Sequence, residues 1–134
     1  MMILKFNLPA DEVVAALKAT IEGANMRIVS HINGQANAAK IGKNVPADQI
    51  LEVFRPDFAV RVWAAYKPAG LDIPLRIHVY EDEDKHTVVQ YRTAKTVFAP
   101  YQSSGLNMIA EELDTIFETI LNSIEIQPSD VAHA

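Results

Sequence analysis

The chain of 134 residues has no cysteine. That removes disulfides, thiolate nucleophiles and every cysteine-based metal site. Glycine is scarce: the five glycines stand singly at positions 23, 34, 42, 70 and 105, so none builds a phosphate-cradling loop. No apolar run approaches the roughly 20 residues that a membrane helix requires. Basic charge is also short, with twelve Lys/Arg against seventeen Asp/Glu, a net charge of −5 and no Lys/Arg cluster. Nucleic acid and anionic membrane surfaces are therefore poor partners. The opening MMILKFNLP carries no basic leader and no small-residue cleavage site, so it reads as part of the fold rather than a signal peptide, and the expected compartment is cytoplasmic.

What is present suits one domain. Hydrophobic residues make up 49% and charged residues 22%. A chain this long can bury roughly two-thirds of its unfolded surface without metal or disulfide staples. No repeat or low-complexity linker divides it, so residues 1–124 read as a single domain. After Ile126, with Pro128, Ser129 and Asp130, the pattern ends, and 125–134 reads as a flexible tail.

Residues 2–7 alternate as a strand, with Met2, Leu4 and Phe6 against Ile3 and Lys5. Pro9, Asp11 and Glu12 suit a helix start, and Val13, Ala16, Leu17, Thr20 and Ile21 repeat at helical spacing up to Gly23. Residues 26–32 alternate again and meet the turn dipeptide Asn33-Gly34. A short helical turn over 36–43, a strand over 49–54 and a helix from Asp57 to Tyr66 follow. Pro68 and Gly70 end that helix. The clearest strand covers 73–81, with Ile73, Leu75, Ile77 and Val79 opposite Arg76, His78 and Tyr80. An acidic turn at 81–84 returns the chain as a strand over 86–92. A last helix, capped by Ser103 or Ser104, carries Leu106, Ile109, Leu113, Phe117 and Ile120 along one stripe. The order β-α-β(4)-α predicts an α+β domain: an antiparallel sheet of about five strands with two long helices on one face.

The string Gly70-Leu71-Asp72-Ile73-Pro74-Leu75-Arg76, with the strand and returning strand after it, resembles the domain of unknown function 302 family. His31, the Ala-rich 36–43 segment and Pro56 stand where that family has an Asp-His pair, a small helix and a strand-ending turn. The resemblance runs from about Asp11 to Asn122. Ser30 replaces the family's frequent Asp, and Phe54-Arg55-Pro56 lacks its usual glycine, and with it the close backbone approach to a ligand that glycine permits. The resemblance implies a TATA-binding-protein-like α/β fold and a dimer, and no particular activity.

Side-chain alternation supplies the candidate site. If two helices cover one sheet face, the other carries Arg27 and His31 on one strand and Arg76, His78 and Tyr80 on another. Glu52 with Phe54, or Gln49 with Leu51, would join them according to register. Such a face fits a dimer interface, where Tyr and Arg are enriched. It equally fits a shallow pocket for an anionic or aromatic small molecule, with Arg76 holding charge and His78 handling a proton. The candidate ligand-binding residues are His31, Arg76, His78 and Tyr80.

No metal or cofactor is expected. His31, His78 and His86 show no i, i+4 helical pair. Residues two strands apart lie near 10 Å from each other, too far to share one zinc at about 2 Å per bond. The turn at 81–84 lacks the spaced ligands and central glycine of a calcium loop. Ser103 and Ser104 fit helix capping rather than a nucleophile elbow, Trp63 fits core or interface, and His133 falls in the tail. The leading expectation is a cytoplasmic homodimer that binds a small ligand or partner protein without catalysis. The alternatives are a small isomerase or hydrolase with a His general base and an Arg anion anchor, and a purely structural subunit.

Overall fold

A computed structural model describes residues 1–124; the expected tail over 125–134 and His133 lie outside the described residues. The alternating segments form five strands, β1 (Met2–Phe6), β2 (Arg27–Asn33), β3 (Asp48–Phe54), β4 (Leu75–Glu81) and β5 (Thr87–Tyr91). They make one sheet in the order β1-β5-β4-β3-β2, with every neighbouring pair antiparallel. The first strand closes beside the last, so the hairpin β4-β5 occupies the interior of the sheet rather than an edge.

Five helices accompany it: α1 (Ala10–Gly23), α2 (Gly34–Ala39), α3 (Pro56–Tyr66), α4 (Ala94–Phe98) and α5 (Ser104–Asn122). Helix α1 begins after Pro9 with Asp11 and Glu12 in its first turn, and the Ser103 hydroxyl caps α5 by accepting from the Leu106 N–H at 3.2 Å. Their apolar stripes meet the sheet. Val13, Leu17 and Ile21 of α1 and Leu113, Phe117 and Ile120 of α5 share one buried cluster with Leu51, Val53, Ile77, Val79 and Val89. The domain is therefore α+β, with one sheet face under α1 and α5 and the other open. Helix α3 flanks α5: Arg61 pairs with Glu112, and a Cβ at Gly105 would sit 3.1 Å from the Ala65 Cβ, a contact that admits only glycine without a shift. Among the described residues, no helix is long and apolar enough to cross a membrane.

Three local features alter the picture drawn from the sequence. Asn33-Gly34 closes β2 as expected, and it opens a helix at the same point: the Asn33 side chain caps α2 by accepting from the Ala36 N–H at 2.9 Å. Helix α4 lacks a strong periodic signal and forms through tertiary contacts instead. Its Phe98 is fully buried, and Asp114 of α5 accepts from the Ala94 N–H at 2.6 Å and from the Lys95 N–H at 3.2 Å. The third change concerns β2. Ile28 pairs with Val53 but Ser30 pairs with Glu52, so Val29 is an extra, bulged residue. A bulge of one residue exchanges the faces of everything beyond it. Arg27 and His31, expected on the same face, are thereby separated.

Candidate functional site

The open face is organised in rows that cross the strands. One row runs Ile32, Ile50, His78, Gln90, Ile3 through all five strands; beside it on one side lie Ser30, Glu52 and Arg76, and on the other Asp48, Tyr80, Val88 and Lys5. Arg76, His78 and Tyr80 thus share the uncovered face, while the intervening Ile77 and Val79 are fully buried beneath the helices.

His78 is held on three sides. Its ring stacks on Tyr80 with centroids 4.8 Å apart and planes at 24°. Gln90 Nε2 lies 2.9 Å from Nδ1, and Asp48 Oδ1 lies 3.0 Å from Nε2. An amide nitrogen only donates, so Nδ1 is the acceptor and Nε2 carries the proton that it donates to Asp48. Both ring nitrogens are therefore committed to protein partners.

His31 stands apart from this group. It pairs with Leu51, on the helix-covered face at the outer strand β2. Its Nε2 donates to Gln49 Oε1 at 2.7 Å, and Gln49 Nε2 donates to Asp11 Oδ1 of α1 at 3.0 Å. Gln49 is buried, and this chain of bonds satisfies its amide under the edge of the core. Strand β3 also separates His31 from His78.

A groove of about 530 Å³ opens over the Arg76 end of the face. Its floor is Ile50, Glu52, Arg76, His78 and Gln90; its walls are Leu71, Asp72, Ile73 and Pro74, with Val97 of α4 and Arg92 beyond β5. It ends short of Tyr80. The wall is positioned by a 3-10 turn, Lys67–Asp72, folded against α3. Gly70 lets it close: a Cβ there would meet the Trp63 indole at 3.1 Å from Nε1. Trp63 itself is half-exposed on α3 and packs against this turn. Asp72 accepts a hydrogen bond from the Tyr101 hydroxyl, which raises the Tyr101 pKa above its ordinary value, with burial adding in the same direction.

The charges in the groove are unevenly held. Arg76 Nε lies 3.6 Å from Glu52 Oε2, an ion pair without a hydrogen bond, and its side chain is 69% exposed. Arg92 has no hydrogen-bond or ion-pair partner among the described residues. Two guanidinium groups therefore line a groove of mixed polar and apolar side chains with much of their donor capacity open. Gln90, Arg92 and the 71–74 wall were not among the site residues read from the sequence, and of the two register alternatives for β3 the structure places Glu52 beside Arg76 on the open face. Alternation over 86–92 does place Gln90 opposite Val89 and Tyr91, so its face was readable; the wall, which arrives from outside the sheet, was not.

A polar cleft of about 580 Å³ lies at the other end of the molecule, between the 7–11 segment and the β4-β5 hairpin. Asp84 and His86 in its lining and the nearby Asp82 bring possible ligand atoms within 4.8 Å of one another. The Asp82 carboxylate is already engaged: Oδ1 accepts from the Asp84 and His86 amides at 3.0 and 2.9 Å, and Oδ2 faces Lys5 Nζ at 3.4 Å. Burial pushes the Asp82 carboxyl up, but the His86 amide and the Lys5 ammonium outweigh it and hold the group below the usual carboxylate range. The Asp82 carboxylate is thus taken up within the hairpin turn, while His86 Nδ1 is buried without a hydrogen-bond partner among the described residues, 3.9 Å from Asp82 Oδ2.

Comparison with known proteins fits this fold. A crystal structure of an uncharacterized conserved DUF302 protein from Bacillus stearothermophilus superposes with a TM-score of 0.82 at 16% sequence identity, covering 92% of this chain and 97% of that one. Such identity speaks for the fold alone. No curated protein matches the chain. The family model for the domain of unknown function DUF302 matches residues 2–124, the whole folded portion described above, and the chain belongs to that family.

Proposed function

We propose that the protein binds a small amphipathic organic anion in the open-face groove, without catalysis, and works as a cytoplasmic homodimer. The observation that carries this reading is the groove itself: apolar side chains of Ile50, Ile73, Pro74 and Val97 beside the Arg76 and Arg92 guanidinium groups, whose donors are less engaged than the Glu52 and Asp72 carboxylates that also line it. Its size falls in the range of small-molecule pockets. An apolar body fits the trough while a carboxylate, sulfonate or phosphate meets the arginines, which favour planar, bidentate anions.

The local bonding of His78 supports binding over catalysis. A general base needs a nitrogen within hydrogen-bond reach of the substrate proton. Here Nδ1 accepts from Gln90 and Nε2 donates to Asp48. Self-association belongs to the same reading. Ile3 and Ile32, at the two ends of the His78 row, are 54% and 44% exposed, apolar surface that a second copy of the chain would cover.

Native mass spectrometry of protein purified from its own host tests the proposal. The expected spectrum shows a dimer carrying a retained small acid, and the acid is lost from the Arg76→Gln, Arg92→Gln double variant while the dimer remains. A monomer with no retained molecule, together with detectable turnover that His78→Ala abolishes, would transfer the assignment to the enzyme reading.

A further inference from the structure

We propose that Gln90 selects which ligand groups the groove accepts, and that the charge on His78 decides which end of the Gln90 amide faces the ligand. The inference rests on the ligand-binding reading above and adds the rule by which that site discriminates.

With His78 neutral, Gln90 Nε2 is spent on Nδ1 at 2.9 Å. The amide oxygen then has no hydrogen-bond partner among the described residues, and it is the free end of a residue that forms the groove floor. In this state the floor offers an acceptor. The favoured ligand carries a hydrogen-bond donor, such as a hydroxyl or an N–H, beside its anionic group, and a bare anion meets a repelling oxygen.

Protonation of His78 at Nδ1 makes both ring nitrogens donors. The Gln90 amide nitrogen would then face another donor, so the amide turns over: Oε1 accepts from Nδ1–H and Nε2 swings toward the groove. The floor now offers two donor hydrogens and an added positive charge, and a bare anion is favoured. The charged and titratable groups that face His78 or line the same groove are Arg76 and Tyr80 on its own strand, Asp48 and Glu52 from β3, Arg92 beyond β5, Asp72 from the groove wall and the N-terminal residue Met1 before β1. Helices α1 and α5 lie behind the sheet and contribute none. The Asp48 contact is kept in both states, since Nε2 donates in each.

The probe is 8-anilinonaphthalene-1-sulfonate, an aromatic body with an anion that carries only acceptors. Its affinity for the intact protein is measured by fluorescence at pH 8 and pH 5, beside long-range ¹H–¹⁵N spectra of the His78 ring and the Gln90 side-chain amide. Neutral His78 is expected as the Nε2–H tautomer, with the Gln90 amide signals shifting at the His78 midpoint. Gln90→Met keeps side-chain volume and removes the amide. It is expected to bind the sulfonate roughly three- to ten-fold more tightly than the parent at pH 8 and more weakly by a similar factor at pH 5, the worth of one net hydrogen bond. That reversal of sign is beyond a merely structural effect. Gln90 signals that stay fixed while His78 titrates, or a Gln90→Met effect of one sign at both pH values, overturns the selection rule. Sulfonate that fails to bind at either pH, with the coupled His78 and Gln90 shifts intact, sinks the ligand-binding reading and the selection rule that depends on it.

Discussion

Replacing an exposed carboxylate in this protein is expected to cost more than replacing the buried amide it touches. Gln49 is 1% exposed, and its amide is satisfied by His31 on β2 and Asp11 on α1, both of which are exposed. In Asp11→Ala the Gln49 Nε2 is left buried with no acceptor, and an orphaned buried donor costs about 1–3 kcal/mol. The variant also removes an acidic residue from the first turn of α1, about 0.3–1 kcal/mol at a helix N-terminus. Gln49→Met conserves volume and removes the buried amide altogether, while the former partners turn to water, so its cost is expected at about 1 kcal/mol or less. The helix-end contribution is the same in both backgrounds and cancels in a double-mutant cycle. Asp11→Ala, Gln49→Met and the double variant should therefore show a coupling energy of about 1–2 kcal/mol. Urea unfolding followed by circular dichroism reads it, with unchanged m-values as the check that compactness is preserved. A coupling below about 0.3 kcal/mol, with Asp11→Ala no worse than an ordinary surface change, would refute the hydrogen-bonded link between edge strand, sheet and helix.

Other expected outcomes follow from the same geometry. Leu113→Ala, at a fully buried position of α5, should cost roughly 2–5 kcal/mol, whereas Met108→Ala, on the same helix but 68% exposed, should stay within about 0.5 kcal/mol; equal effects in thermal melts would mean that the stripe faces the other way. Asp82 is held below its ordinary pKa in the fold, so its contribution is fully present above the unfolded carboxylate pKa and is lost as pH falls through the lower folded value. Asp82→Asn should therefore destabilise the protein at neutral pH and flatten its acid denaturation curve; a curve parallel to the parent's would discount the Lys5 and His86 contacts. Deletion of Val29 removes the unpaired residue and leaves Ser30 opposite Glu52 and His31 opposite Leu51, so the His31–Gln49 bond and the His31 chemical shifts should persist; loss of that bond in the deletion variant would refute the bulge.

Most of the sheet was legible because period-two alternation is a local property. Ile77 inward and His78 outward follow from the sequence of β4 alone, since Leu75, Ile77 and Val79 make one face apolar up to the terminal Glu81. The last helix was legible for the same reason at period 3.6, and its Ser103 cap is a local hydrogen bond. Helix α4 was not, because its five residues carry no periodic signal and its first amides are bonded by Asp114, twenty residues away in the chain. The β2 bulge was equally hidden: Arg27 to Ile32 reads as an unbroken strand, and only pairing with β3 shows that Val29 has no opposite number.

By itself the sequence determined the class of fold, the five strands and every helix but α4 to within a few residues, and the placement of Arg76, His78 and Tyr80 on one face. Each of these depends on residues close in the chain, where spacing fixes direction. The tertiary structure alone decided that His31 leaves that group, that Gln90 and Asp48 claim both nitrogens of His78, and that the segment after α3 folds over the sheet to make a groove. Those depend on register between strands and on contacts between distant segments, and a single bulged residue is enough to redirect them.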